Sequence, residues 1–157
     1  MESFLQWIGN WPGAVILRDS WIVYLFVNAA HILGIGLLLG SILPLDLRLI
    51  GFFRSMPLAV LGRFLLNVAR AGFAIALVAG LCLFSVKPLE YIENTAFLCK
   101  AVLLVLAFVN VFFQHQGDSF SAALRGGVIA GRVRVSAMIS AGLWLSVLVA
   151  GRWIGFL

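Results

Sequence analysis

Tyr24, Asn28, His31 and Gly34 follow one another at intervals of four, three and three residues, a spacing that lines them along one stripe of a helix turned toward protein. The last three belong to "NAAHILGIGLLLGSILPLDLRLIG" (28–51), an oily run that Pro44 interrupts just before Asp46 and Arg48. An imidazole is metal ligand, proton carrier and hydrogen-bonding group in one side chain. In a helix that starts near Trp21, His31 lies about 15 Å along the axis, at about 1.5 Å per residue, close to the middle of a bilayer. A group so polar at that depth marks a functional site, or else a neutral tie between helices bonded to Asn28, Tyr24 or a backbone carbonyl.

Haem b is the first cofactor to consider, since its iron is commonly held by axial imidazoles. The second histidine of the chain, His115, would be the partner, but counting opposes it. A helix running inward from about Thr95 puts His115 near 30 Å, about 15 Å beyond the level of His31. It also falls about 140° around the helix from Asn110. An interfacial, non-ligating His115 is therefore expected, unless the Pro44 segment bends the first span.

Lys100, Ala107, Asn110 and Gln114 share a stripe of the third span. Lys100, about 8 Å inside, either snorkels to the interface or stays buried, answering Glu90, Glu93 or an acidic group on a ligand. Arg70, about 10 Å inside the second span, could clamp a propionate or phosphate. Asp46 and Arg48 could pair with Arg63, Arg70 or each other and fix the first loop, or open a path for a proton. Cys82 and Cys99 lie level with one another near the outer ends of adjoining spans; with His31 beneath them they would offer thiolate and imidazole to copper. No CxxC or MxxM spacing strengthens that metal site.

The elements that must carry these residues are set by composition: 63% of the 157 residues are hydrophobic and 11% charged. Residues 21–43, 64–86, 95–114 and 135–156 each supply the roughly 20 apolar residues that cross a hydrocarbon core of about 30 Å. Each must be a helix, because a segment in lipid has to satisfy its own backbone hydrogen bonds. The expected fold is thus an all-α membrane protein, a single-domain bundle of four transmembrane helices. Phe4, Leu5, Trp7, Ile8 and Trp11 add a short N-terminal helix over about 2–11 that lies in the interface, ending at Pro12-Gly13.

The net charge of +5 would suit a nucleic acid if positions were ignored. Positions exclude that partner: Arg48, Arg54, Arg63, Arg70, Arg125, Arg132 and Arg134 gather around loops one and three, against Arg18, Lys87 and Arg152 on the other side. This asymmetry places loops one and three in the cytoplasm and both termini in the periplasm of a bacterial inner membrane. The bilayer is the first partner. Gly36 with Gly40, Gly72 with Ala76 and Gly80, and Gly142 with Ser146 and Ala150 allow helices to approach closely, within the bundle or between protomers of an oligomer or larger complex. No hydrolytic triad or HExxH site can be assembled from two histidines and six carboxylates, so an electron-transfer role is the most that catalysis offers here.

The segments "HILGIGLLLGSILPLDLRLIG" (31–51), "NTAFLCKAVLLVLAFVNVFFQHQ" (94–116) and "LWLSVLVAGRWIGF" (143–156) resemble an uncharacterised family of small bacterial four-helix membrane proteins. The matching positions are His31, Gly34, Gly40, Asp46, Arg48, Gly51, Asn94, Phe97, Lys100, Asn110, His115, Gly151 and Arg152. In the family a partner histidine follows an aromatic residue directly, whereas Gln114 precedes His115 here. The chain is also loosely similar to CopD-type copper-resistance domains and b-type cytochrome membrane subunits, which implies redox or metal work. Two readings stand at this point: a haem b protein using His31, with a quinone or periplasmic redox partner, or a cofactor-free scaffold subunit of a larger membrane complex. Transport of a proton, solute or copper past His31, Lys100 and Asp46 is a weaker third.

Overall fold

The structure, a computed structural model, describes residues 2–116 and 118–156. In chain order its helices are α1 (Glu2–Asn10), α2 (Pro12–Asp19), α3 (Trp21–Ile50), α4 (Leu58–Val86), α5 (Pro88–Glu93), α6 (Thr95–His115), α7 (Asp118–Leu124) and α8 (Gly131–Trp153), closed by a 3-10 turn over Ile154–Phe156. No strand occurs among the described residues. The segments containing α3, α4, α6 and α8 are long and apolar enough to cross a membrane. The protein is an all-α, multi-pass membrane bundle.

Local chemistry sets the element ends. The Ser20 hydroxyl accepts from the Val23 N–H at 3.4 Å, and the Asn94 side chain accepts from the Phe97 N–H at 3.1 Å, each capping the free donors of a helix start. Pro12 and Pro88 stand in the first turns of α2 and α5, where a missing N–H costs nothing. Gly51, at φ 126°, ends α3 in a conformation that a Cβ would strain.

Three expectations about the elements need correction. Pro44 does not end the first span; α3 continues through it to Ile50. A proline removes one ladder bond, and a membrane helix with packed neighbours tolerates the loss. The N-terminal region is two helices rather than one, because Pro12 starts α2 as readily as it stops α1. The short α7 was not foreseen; its seven residues are too few for a clear helical period.

The bundle is built outward from α3, which lies against α4 along its length and against α8, while α6 lies against α8. Gly34 and Gly72 let α3 and α4 touch backbone to backbone: a Cβ on Gly34 would stand 2.5 Å from the Ala76 nitrogen, and one on Gly72 2.6 Å from the Leu38 nitrogen. Close contact of this kind is how helices associate without a hydrophobic drive. By contrast α4 and α6 meet through aromatic rings, Phe73 on Phe108 at 5.1 Å and Phe84 on Phe97 at 5.5 Å. Leu38, Ala69, Ala107 and Trp144 form the central core, one residue from each long helix. A second core joins the ends of α3, α4 and α8 to α7 through Leu45, Leu49, Leu58, Leu65, Phe120, Ala123, Val133 and Ala137. That end is called the loop end below; the opposite one, where α1, α2 and α5 gather, is the terminal end.

Gly36 and Gly40 do no such packing. A Cβ on either would meet nothing within 4 Å, so the GxxxG face of α3 points away from the other long helices.

Candidate functional site

The buried seam of α3 runs through Gly34, Leu38, Ser41, Leu45 and Leu49. His31 lies about 60° to one side of Gly34 at about 100° per residue, which leaves it half-buried. Its Nδ1 is 2.8 Å from the Ala76 carbonyl oxygen on α4. A carbonyl only accepts, so Nδ1 carries the proton and Nε2 keeps its lone pair. Gly80, one turn beyond Ala76, makes room for the ring: a Cβ there would stand 2.9 Å from the imidazole Cε1.

Lys100 faces this layer from α6. Its Nζ is 3.4 Å from where a Cβ on Gly151 of α8 would be. The expected answer from an acidic residue is not made. Glu90 pairs with Lys87 at 3.0 Å, Glu93 is exposed, and among the described residues no carboxylate pairs with Lys100. Two polar side chains thus sit beside glycines of neighbouring helices toward the terminal end: His31 beside Gly80, and Lys100 beside Gly151. At Gly80 a Cβ would crowd the imidazole, whereas at Gly151 it would make ordinary contact with the lysine.

Other predicted site residues are not brought here. Tyr24 and Asn28 are exposed, which corrects the expectation that their stripe faces protein. The seam centres on Gly34 and Ser41 rather than on His31, Asn28 lies about 120° around from Gly34, and Tyr24 is level with the end of α4, where covering stops. Arg70 is exposed and donates to Asn67, a helix turn or more from the layer. His115, exposed at the far end of α6, donates from Nδ1 to its own helix at the Val111 carbonyl, 2.8 Å away. Cys82 is half-buried and Cys99 exposed, both with free thiols. No group of three His, Cys, Asp or Glu side chains gathers as a metal site among the described residues.

Asp46 and Arg48 do not pair. Arg48 closes the α3–α4 loop through the Met56 and Arg54 carbonyls, while Asp46 is buried near Ser140 of α8. Asn110 is a helix tie: it donates to the Ser136 carbonyl and accepts from the Ser136 hydroxyl, both at 3.1 Å. Sequence reasoning passed over Gly80 and Gly151 as members of the layer and Ser136 and Ser140 as partners, since nothing in one helix announces which residue of another it will meet.

The fold defines a class, a multi-pass helical membrane protein. Residues 2–157 match the model of a family of unknown function, DUF6644, and the chain belongs to that family. No curated protein and no solved structure matches it.

Proposed function

We propose that the protein is a non-catalytic membrane subunit that receives, between His31 and Lys100, the oxygen-bearing head group of a lipid-soluble ligand, in class a quinone or its quinol. One observation carries the reading: the bond from Nδ1 to Ala76 commits one nitrogen of His31 to the bundle and leaves Nε2 free, while Lys100, on α6, meets no carboxylate among the described residues. A quinol hydroxyl would donate to Nε2, and a quinone carbonyl would accept from Lys100. Both side chains are half-buried, so a ligand dissolved in the bilayer reaches them laterally. The arginine distribution supports a cytoplasmic loop end and an inner-membrane location. The open Gly36–Gly40 face supports contact with a second copy or another subunit.

Haem b is the second reading, favoured by the same bond, because ligating imidazoles are normally held by donating their other N–H to a carbonyl. The fit is partial. His31 would hold the iron and Lys100 would meet a propionate; His115 and Arg70 are turned elsewhere. Bound haem would supply electron exchange. Two surface grooves, the larger of about 470 Å³ between α3 and α4, are wholly apolar and include neither residue.

Protein purified in mild detergent separates the readings. The first expects a colourless preparation that carries or takes up quinone, with retention lost in His31→Ala and Lys100→Met. A Soret band that shifts on reduction and disappears in His31→Ala establishes the second instead. A fully folded preparation that binds neither leaves a scaffold subunit.

A further inference from the structure

A separate polar feature lies at the loop end. Asp46 is only 3% exposed, and its Oδ2 has no hydrogen-bond partner. The stretch of α3 around it is wrapped by Leu58 and Leu65 of α4, Phe120 and Ala123 of α7, and Val133 and Ala137 of α8. The charged groups of those elements are engaged or exposed elsewhere. Arg48 serves the loop carbonyls, Arg70 meets Asn67, and Arg132 donates to the Phe113 carbonyl. Arg63, Asp118 and Arg134 are exposed. No lysine or arginine forms an ion pair with Asp46 among the described residues. The polar group that does face it is the uncharged Ser140. One turn along the same face of α8, the Trp144 Nε1 is the other buried side-chain polar atom left without a partner among the described residues.

A carboxylate in this place would keep its charge with little water and no opposite charge to answer it, an arrangement costing several kcal/mol. A neutral acid avoids that cost and gains an O–H to place in the α3–α8 seam.

We propose that Asp46 is a proton-binding site of the bundle, its ligand being a proton exchanged with water at the loop end. The carboxylate takes one proton from a hydronium ion of the water at the loop end: the O–H bond on Asp46 forms as one O–H bond of the hydronium breaks and leaves neutral water, and no redox partner takes part. The neutral acid shares its hydrogen bonding with Ser140. The site is independent of the seat at His31 and stands or falls without it.

Infrared spectroscopy of the protein in lipid vesicles at neutral pH tests this. The other five carboxyl side chains are Glu2, Asp19, Glu90, Glu93 and Asp118, so the band is assigned to Asp46 by its loss in Asp46→Asn. The expected result is one acid carbonyl band that moves in heavy water, is missing in Asp46→Asn and is displaced but retained in Ser140→Ala. Identical acid regions in wild type and Asp46→Asn would overturn the proposal, as would a band that heavy water does not move. If Asp46→Asn fails to fold, Ser140→Ala decides alone: an undisplaced band, or no band, rejects the assignment.

Discussion

Gly80 and His31 fit one another, the absent side chain of the first being the space that the imidazole of the second occupies, 2.9 Å from where a Cβ would stand. The ring is held against α4 by that space as much as by its bond to Ala76. Gly80→Val should therefore push the ring off the Ala76 carbonyl. The expected cost is about 1–3 kcal/mol, typical of overpacking, read as a lowered unfolding midpoint in detergent together with loss of any ligand bound in the wild type. An unchanged midpoint with ligand retained would show that the ring is not seated there.

The two glycine faces of α3 should behave oppositely. Gly34→Ala drives a methyl to 2.5 Å from backbone on α4, where no side chain can swing aside, and should separate the helices and destabilise the monomer. Gly36→Ala meets open space and should leave the monomer as stable as before, or slightly more so since alanine is the better helix former. Unfolding of both variants in detergent, side by side, checks the contrast.

Asn110 and Ser136 exchange two hydrogen bonds across α6 and α8. Such pairs in membranes contribute about 0.6 to 1.7 kcal/mol. Removing either partner should cost a value in that range, and removing both should cost less than the sum, because each single change already breaks the side-chain pair. Additive losses in the double-mutant cycle would mean that the two side chains act separately.

Tyr91 lies on α5, between two spans, and burial pushes its phenol above the ordinary value of 10.0. Since the folded state resists ionising this group, its contribution to stability is whole at neutral pH and is lost as the pH climbs from the unfolded value through the raised folded one. Stability should fall on the alkaline side above about pH 10, and Tyr91→Phe should lessen the fall. Detergent unfolding at a series of alkaline pH values reads this directly.

Cys82 and Cys99 do not join His31 in a metal-binding trio. Replacing both by serine should leave the copper content of the purified protein unchanged, as measured by elemental analysis. A loss of stoichiometric copper would restore the soft-metal reading.

Much was legible before any fold was known, because lipid is a demanding solvent. It requires long apolar helices, and 63% hydrophobic composition arranged in four runs admits little else. His31 could be singled out as one imidazole deep in an apolar run.

What the chain did not disclose was its partners in space. Periodicity says that a helix has a stripe, and the stripe through Tyr24, Asn28 and His31 was plausible; only contact with α4 at Gly34, Gly72 and Ala76 turned the seam aside and left Tyr24 and Asn28 exposed. Asp46 and Arg48, two residues apart, looked like a pair, yet they point to opposite fates because one is buried facing α8 and the loop captures the other. The sequence by itself determined that the protein crosses a membrane as four helices with a histidine among them. Tertiary structure alone decided which face of each helix is covered, and so which polar groups meet, because close approach depends on where small residues from different helices coincide, and that is a property of the pair and not of either strand of sequence.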